Sequence, residues 1–207
     1  MIAIVDYGAG NLRSVANALE SLGAQPRIAE TPAQLEGATA IVLPGVGSFG
    51  EGMAALRRRG FVAALHEQVV QRRTPLLGIC LGMQLLAMEG HEHGTHAGLG
   101  WIPGHVERLQ PEGVRFRVPH IGWNDVALRR PSPLFEGLEH PVCYFVHSFH
   151  FAVAPEEAET ITATCWHGMT VTAGVQRGHI FGVQFHPEKS QQHGLAVLQN
   201  FLRWRPC

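Results

Sequence analysis

One cysteine of this chain stands in a setting that suits nucleophilic catalysis. Cys80 lies within Gly78–Gly82 (sequence GICLG), after an apolar run that predicts a buried strand and before residues 83–88, which predict a helix. Glycines two positions to either side of the cysteine allow a sharp turn from strand to helix, as in a nucleophile elbow. The N-terminus of the helix would favour the nucleophilic thiolate. The simpler alternative is a small buried cysteine in an α/β core.

A histidine and a glutamate near the end of the chain supply the other two groups that a thiol nucleophile needs. His186 and Glu188 follow a strand-like run, residues 180–185, and one proline separates the two residues. Because residues i and i+2 at the end of a strand project to the same side, Glu188 can hold the imidazole of His186. His186 can then accept the thiol proton. We predict that Cys80, His186 and Glu188 are the catalytic residues of an acyl-transfer site.

A glycine-rich turn follows another apolar, strand-like run. Residues 40–43 lead into Pro44–Gly50 (PGVGSFG), and such a turn can point backbone N–H groups at a developing oxyanion. The N–H of Leu81, directly after the nucleophile, is the natural second donor. We therefore predict that Val46, Gly47 and Leu81 bind the oxyanion, although a simple connecting turn is the usual alternative.

Strand-like and helix-like segments alternate in the first half of the chain, and this pattern decides how the chemical groups are positioned. Strands are predicted at 2–5, 40–43 and 76–79, and helices at 12–22, 52–59 and 61–72. The alternation predicts an α/β fold with a mostly parallel, flavodoxin-like sheet and flanking helices, in which the elbow and the glycine-rich turn open at one sheet edge. The second half predicts antiparallel additions and a closing helix, at 101–106, 142–146, 160–166, 169–176, 179–185 and 194–204.

Length and composition favour one domain over residues 1–207. The chain is 45% hydrophobic and 16% charged, which suffices for one substantial core. Its net charge of -1, without a basic run, disfavours nucleic acid or an anionic membrane as a partner. No apolar stretch has the length of a membrane span, and the N-terminus lacks a signal peptide, so we expect a cytoplasmic protein. We expect three further cysteines to be reduced and without zinc: Cys143, Cys165 and Cys207.

Two other motifs could bind a cofactor or a metal. Gly8-Ala9-Gly10 lacks the third glycine of a dinucleotide fingerprint, because Arg13 stands in that place. The segment His91–His96 carries three histidines and a glutamate, but their spacing fits neither a zinc helix nor a zinc finger, so we expect a solvated loop. The sequence thus predicts neither a cofactor nor a metal.

The elbow, the His-Pro-Glu segment and the glycine-rich turn together resemble the class I, or triad, glutamine amidotransferases. Further segments resemble one branch of that family, the glutaminase subunits of imidazole glycerol phosphate synthase: Asp6–Leu12, Pro119–Asn124, Tyr144–Ser148 and Gly182–Ser190. The resemblance covers essentially the whole chain. It implies hydrolysis of L-glutamine to glutamate and ammonia through a γ-glutamyl thioester. It also implies a heterodimer with a cyclase subunit, which would use channelled ammonia to form imidazole glycerol phosphate and an aminoimidazole carboxamide ribotide in histidine biosynthesis.

The resemblance also assigns residues outside the triad. Gln84 and Glu92 match family positions that contact the substrate glutamine. The face toward the cyclase would carry four residues of this chain: Asn11, His120, Trp123 and Lys189. A tryptophan between Gly122 and Asn124 is also a common core anchor, but Trp is favoured at interfaces.

Three alternative functions remain open on the sequence. The same fold could serve another acceptor, as in the glutaminase of pyridoxal phosphate synthase or in anthranilate or GMP synthase, although the Pro119–Asn124 segment argues against this. The chain could be a cysteine hydrolase that acts alone on peptides or γ-glutamyl conjugates. It could also be a binding module without activity, which the intact triad disfavours.

Overall fold

The structure, a computed structural model, describes residues 1–205 and is built around an eight-stranded sheet. Its strands are β1 Ile2–Val5, β2 Pro26–Ala29, β3 Ala40–Gly45, β4 Leu76–Cys80, β5 Glu89–Gly90, β6 His96–Ala97, β7 Gly104–Arg108, β8 His120–Asp125, β9 Ala127–Leu128, β10 Val142–His147, β11 Phe149–Val153, β12 Ile161–Trp166, β13 Thr170–Arg177 and β14 Ile180–Val183. Its α-helices are α1 Leu12–Ser21, α2 Phe49–Arg58, α3 Phe61–Leu65, α4 Leu81–Gln84 and α5 Gln191–Arg203.

The main sheet has the order β2-β1-β3-β4-β14-β13-β12-β9. The strands from β2 to β14 pair in parallel, and β13, β12 and β9 add antiparallel strands to that edge. The predicted parallel sheet with antiparallel additions is therefore confirmed. Every residue of β3 and β4 is buried, as expected of apolar strands that are covered on both faces.

The helices cover both faces of this sheet. Helices α2 and α3 pack on one face through Met53, Leu56 and Phe61, and α1 and α5 pack on the other through Leu19 and Leu198. Alternate residues of the central strands point to opposite faces and so join the two cores. The elbow between β4 and α4 thereby lies at the end of a fully buried strand.

Two smaller sheets lie beside the main one. Strands β8 and β10 form an antiparallel pair, and β11, β7, β5 and β6 form the other sheet in that order. Strand β8 carries the segment His120–Asp125, whose side chains alternate between less and more exposed positions. This two-stranded sheet therefore has one face toward the protein and one face toward solvent.

The helix expected after the cysteine is much shorter than predicted. Helix α4 ends at Gln84, although residues 83–88 have a helical pattern. The carbonyls of Leu85, Leu86 and Met88 instead accept N–H groups from residues 98–102, so tertiary hydrogen bonds override the local propensity. Residues 61–72 also differ from the prediction, because α3 passes into a π-helical segment at His66–Gln71. The strand predicted from Trp101 begins only at Gly104.

Two of the cysteines outside the elbow lie in the core. Cys143 and Cys165 are free and buried, and Cys207 lies outside the described residues. Within residues 1–205, no helix combines the length and apolar character needed to cross a membrane.

Candidate active site

Cys80 occupies the bend between β4 and α4 in a strained backbone conformation. Its φ is 53° and its ψ is -111°, values that residues with a side chain rarely adopt. Such strain is typical of a nucleophile elbow. Cys80 is 6% exposed, so it is buried but still reaches the surface of the protein. Because α4 is a single turn, its dipole gives the thiolate less support than the sequence predicts.

The two glycines that flank Cys80 are required for close packing rather than for the sharp turn that the sequence predicts. Neither Gly78 nor Gly82 has a positive φ, so neither supplies the unusual backbone angle. A Cβ on Gly82 would overlap with the carbonyl oxygen of Leu43, and a Cβ on Gly78 would lie 2.6 Å from the carbonyl oxygen of Gly82. The glycines therefore let α4 lie directly against β3 and β4, while Cys80 itself carries the strain.

His186 and Glu188 form a buried pair. The Nδ1–H of His186 donates to Oε1 of Glu188 over 2.8 Å, and the two side chains are 3% and 1% exposed. This bond leaves Nε2 as the free nitrogen of the neutral ring. A single 3-10 turn, Pro187–Lys189, brings the carboxylate back beside the imidazole.

Ser190 fastens this turn to the neighbouring strand β10. Its hydroxyl donates to the carbonyl of His186 over 2.6 Å and accepts the N–H of Tyr144 over 2.9 Å. The N–H of His186 donates to the carbonyl of Tyr144 over 2.9 Å. Ser190 was not among the residues predicted from the sequence, and it holds the histidine in place rather than reacting.

The ionisation of His186 reflects both its burial and its neighbours. Burial alone would lower the pKa of His186, but the Cys80 sulfur and the Glu188 carboxylate raise it to about 9. Among residues 1–205, no atom completes a hydrogen bond to Nε2 by distance and angle. The influence of Cys80 on His186 is therefore electrostatic. A thiol nucleophile beside a histidine base can react as a thiolate–imidazolium pair.

A cavity of about 370 Å³ opens in front of the cysteine. The structure brings five residues of the predicted oxyanion and substrate set to its wall together with Cys80: Val46, Gly47, Leu81, Gln84 and Glu92. Strands β3 and β4 pair so that Gly45 lies opposite Cys80, which is why the glycine-rich turn ends beside the sulfur. The cavity wall also includes residues that the sequence analysis did not assign: Pro119, Val146, His147, Ser148 and Phe149.

The glycine-rich turn fits closely where it leaves the sheet and is freer beyond. A Cβ on Gly45 would overlap with the hydroxyl of Tyr7 and would lie 2.9 Å from the Cβ of Leu81. Gly47 has a φ of +102° and open space around it, and Val46 is 44% exposed. The backbone around Val46 and Gly47 is thus at the surface of the cavity and suited to present N–H groups.

Two glutamines lie beside the sulfur, and only one was expected. Gln84 donates from Nε2 to the carbonyl of Phe149 and to Oε1 of Gln184, both over 2.9 Å. Gln184 then donates from Nε2 to the sulfur of Cys80 over 3.7 Å. Gln184 was not among the residues predicted from the sequence. Its signal was a polar residue in an apolar strand, two positions before His186 and hence on the same side.

The remaining predicted residues have varied surroundings. The carboxylate of Glu92 accepts the N–H of Phe49 at the start of α2 over 2.9 Å, while it also borders the cavity. Asn11 and Lys189 are exposed, and Trp123 is 47% exposed. His120 is 4% exposed, so its side chain lies beneath the exposed face of β8.

The histidine-rich loop is open to solvent. His91 and His93 are exposed, and His91 contacts Glu89 over 2.9 Å. Among the residues that the structure describes, no three His, Cys, Asp or Glu side chains are grouped to hold a metal ion.

Comparison of the chain with known proteins gives one consistent family. The family model described as glutamine amidotransferase class-I matches residues 3–204. The chain is 49% identical over 201 residues to the imidazole glycerol phosphate synthase subunit HisH of Moorella thermoacetica, across 97% of this chain and 93% of that relative. It is 50% identical over 210 residues to the protein of the same name from Zymomonas mobilis, across 99% and 96% of the two chains.

Solved structures agree on the fold. PurLQS from Thermotoga maritima matches with a TM-score of 0.75 at 22% identity, over 97% of this chain and 96% of that chain. A solved glutamine amidotransferase matches with a TM-score of 0.74 at 22% identity, over 98% and 97%. The predicted resemblance in sequence and fold is thereby confirmed. On its sequence, its fold and the match over residues 3–204, this chain belongs to the class-I glutamine amidotransferase family.

Proposed function

We propose that this chain, as one domain over residues 1–207, is the glutaminase subunit of an imidazole glycerol phosphate synthase. It hydrolyses L-glutamine and passes the ammonia to a cyclase subunit. The strongest support is the meeting of Cys80 and Gln84 in one cavity beside the His186–Glu188 pair. The names of the relatives, which are 49% and 50% identical over nearly the whole chain, favour this branch of the family over a glutaminase for another acceptor.

Acylation begins with the thiolate–imidazolium pair. The sulfur of Cys80 attacks the side-chain amide carbon of glutamine, a C–S bond forms, and the carbonyl electrons move onto oxygen. Backbone N–H groups near Val46 and that of Leu81 stabilise this oxyanion. The C–N bond then breaks, and the imidazolium of His186 gives its Nε2 proton to the departing nitrogen. Ammonia leaves, and a γ-glutamyl thioester remains on the sulfur.

Deacylation uses the same histidine as a base. Once the sulfur is acylated, it no longer carries the negative charge that helped raise the pKa of His186, so the neutral ring becomes available. Neutral His186 takes a proton from water while the oxygen attacks the thioester carbon. The C–S bond breaks, glutamate leaves, and the thiolate–imidazolium pair is restored. Glu188 keeps the proton on Nδ1 throughout and orients the ring.

The substrate is held by side chains on the cavity wall. Gln84 and Glu92 both border the cavity, and in our proposal they contact the glutamine. Gln84 is held by Phe149 and Gln184, so its position is set before substrate arrives. Such preorganisation lowers the entropic cost of bringing the amide over the sulfur.

The proposed partner surface lies on the solvent side of the β8–β10 sheet. Ile121 is 60% exposed and Trp123 is 47% exposed. Trp123 packs edge-on against Tyr144 at 6.0 Å between centroids, and the amine of Lys189 lies 5.9 Å from the Tyr144 ring. Helix α1, which Asn11 caps, contacts the Pro187–Lys189 turn. Exposed aromatic and aliphatic groups with a cation beside them suit a protein interface, so we propose a heterodimer with the cyclase here.

The proposed location is the cytoplasm. Cys80, Cys143 and Cys165 are free thiols, which fits a reducing compartment.

The proposal is tested by measuring glutamate release from glutamine. The purified chain is assayed alone and together with a cyclase subunit plus its nucleotide ligand. We expect strong stimulation by the cyclase and its ligand, and loss of the activity in Cys80→Ala. Equal activity with and without the cyclase would instead indicate a hydrolase that works alone. Absence of activity in both conditions would favour a binding module.

A further inference from the structure

A line of hydrogen bonds runs inward from the two-stranded sheet. The side-chain N–H groups of Asn124 donate to the carbonyl of Trp166 over 2.9 Å and to Nε2 of His120 over 3.2 Å. Nδ1 of His120 lies 3.0 Å from Nε2 of His147, and Nδ1 of His147 lies 2.8 Å from the carbonyl of Phe149. Each step is within hydrogen-bonding distance.

The line continues from the same carbonyl to the nucleophile. Phe149 accepts a second bond, from Nε2 of Gln84, and the other N–H of that amide donates to Gln184. The amide of Gln184 donates to the sulfur of Cys80 over 3.7 Å. We call the whole line the relay; its side chains are Asn124, His120, His147, Gln84 and Gln184.

Two backbone carbonyls fix the direction of every bond in the relay. The carbonyls of Trp166 and Phe149 can only accept, so Asn124 must present its NH₂ group outward to Trp166 and His147 must carry its proton on Nδ1. Nε2 of His147 is then an acceptor, so His120 must donate from Nδ1 and accept on Nε2. The bonds to Trp166 and to Phe149 therefore require the same neutral tautomer in both rings, with the proton on Nδ1.

The inner half is fixed in the same way. Because the Phe149 carbonyl accepts, the amide of Gln84 must present NH₂ to it, and this places NH₂ also toward Oε1 of Gln184. Gln184 must therefore turn its own NH₂ group to the Cys80 sulfur. An N–H bond to a thiolate favours the charged form.

We propose that His120, His147 and Gln184 are positioning residues that hold the catalytic sulfur in its reactive state through the relay. This role rests on the proposed function, because it takes Cys80 as the nucleophile. The relay makes the arrangement of the β8–β10 sheet part of the active site. It gives that sheet a connection to the sulfur through hydrogen bonds that are already formed without substrate.

The surroundings of the two rings suit this role. His120 stacks on Phe145 at 4.8 Å and on His167 at 4.1 Å between centroids, which fixes the plane of its ring. Burial lowers the pKa of His120 to about 4 and that of His147 to about 3, so both rings stay neutral near pH 7. A neutral ring can accept on one nitrogen and donate from the other, which the relay requires.

The outer end of the relay lies on the smallest of the three sheets. Among the described residues, strand β8 pairs with β10 in a sheet of two strands, and two-stranded sheets are weakly stable by themselves. Trp123, one residue before Asn124, is half-exposed on its outer side. A protein that presses on Trp123 would therefore shift the first donor of the relay.

Substitution of His147 separates the relay from simple packing. His147→Phe keeps an aromatic ring but removes the donor to Phe149, whereas the side-chain NH₂ of His147→Asn can replace Nδ1–H. The probe is iodoacetamide at pH 7.5, with alkylation of Cys80 followed by mass spectrometry of its peptide. The relay predicts that His147→Phe slows alkylation by about threefold or more and that His147→Asn stays within about twofold of the unsubstituted chain. A packing role predicts the opposite order.

Two controls complete the design. His179→Phe removes another buried histidine, whose ring hydrogen-bonds to the carbonyl of Val69 over 2.6 Å at the opposite end of β14, and we expect unchanged alkylation. Gln184→Met should slow alkylation by about three- to tenfold. Adding His147→Phe to Gln184→Met should cause little further loss, because both act through one line of bonds. Independent, multiplicative losses would overturn the proposal.

The tautomers can be measured directly by nitrogen-15 NMR of the histidine rings at pH 7.5. We expect His120 and His147 to be neutral and protonated on Nδ1; a proton on Nε2 of either ring would overturn the relay. Neither NMR nor alkylation needs glutamine turnover. Failure of the relay is therefore distinguishable from failure of the proposed glutaminase function, which the glutamate assay detects.

Discussion

At the scale of single residues, Glu188 acts on the chemistry only through His186. Its carboxylate accepts the Nδ1–H of His186 over 2.8 Å, and it does not border the substrate cavity. Loss of its charge should therefore reduce the stabilisation of the transition state without weakening the binding of glutamine.

We expect Glu188→Gln to lower kcat for glutamine hydrolysis by about 100-fold or more, because the imidazolium loses its counter-charge. KM should stay within about threefold. The assay is steady-state glutamate release with the cyclase present. Glu107→Gln is the matched control, since Glu107 lies 3.6 Å from another buried histidine, His150, and neither residue lines the cavity. A raised KM with an unchanged kcat would contradict the assigned role.

The sequence predicts reacting residues better than it predicts the residues that hold them. Cys80, His186 and Glu188 stand in short motifs whose chemistry follows from residue type and spacing. Gln184 and Ser190 act through contacts with residues far away in the chain, Gln184 with Gln84 and Ser190 with Tyr144. A local pattern can mark such a residue, as it does the polar Gln184 in an apolar strand, but it does not give the partner, which depends on which strands become neighbours.

At the scale of elements, the elbow depends on the close approach of α4 to β3. We expect Gly82→Ala to lower the free energy of unfolding by about 3 kcal/mol, because its Cβ would overlap with the Leu43 carbonyl. The movement needed to relieve this overlap would also displace Cys80. Urea unfolding measures the loss.

The control for this substitution is Gly23→Ala, at the end of α1. Gly23 has a φ of +81° and no atom within 4 Å of an added Cβ, so only backbone strain of about 1 kcal/mol is expected. If the two variants lost equal stability, backbone freedom rather than the contact with β3 would explain Gly82.

The elements themselves show where local pattern suffices. The apolar runs that become β3 and β4 are buried on both faces, and each was predicted within two residues of its observed end. The helix expected over 83–88 ends at Gln84 because the following carbonyls pair with residues 98–102. Propensity decides a segment only where no distant partner competes for its backbone.

At the scale of the whole molecule, the alternation of strands and helices predicts the main sheet but not the small one. The pairing of β8 with β10 joins segments about twenty residues apart in the chain, and it buries His120 while leaving Trp123 half-exposed. The sequence alone groups these two residues on one surface. The structure divides them between the interior and the outer face of the same strand.

The buried histidines of this small sheet make the stability of the whole molecule depend on pH. His120 and His147 have pKa values lowered to about 4 and about 3 by burial, from an ordinary value of 6.5. Their contribution to stability is fully present above pH 6.5 and is lost as the pH falls toward 4, because only the unfolded chain then binds the two protons. Burial also lowers the pKa of His150, which adds to this loss. His186 acts in the opposite direction, since its pKa is raised to about 9.

These opposing effects give a net prediction for acidification from pH 7.0 to 5.5. His120 and His147 together remove about 2 to 3 kcal/mol of unfolding free energy, more than the roughly 1 kcal/mol that His186 restores, so we expect a net loss of about 2 kcal/mol or more. Urea unfolding at the two pH values measures it. His147→Asn lacks one of the titrating rings and should lose about 1 kcal/mol less over the same interval. An equal loss in both proteins would show that His147 does not remain neutral in the folded state.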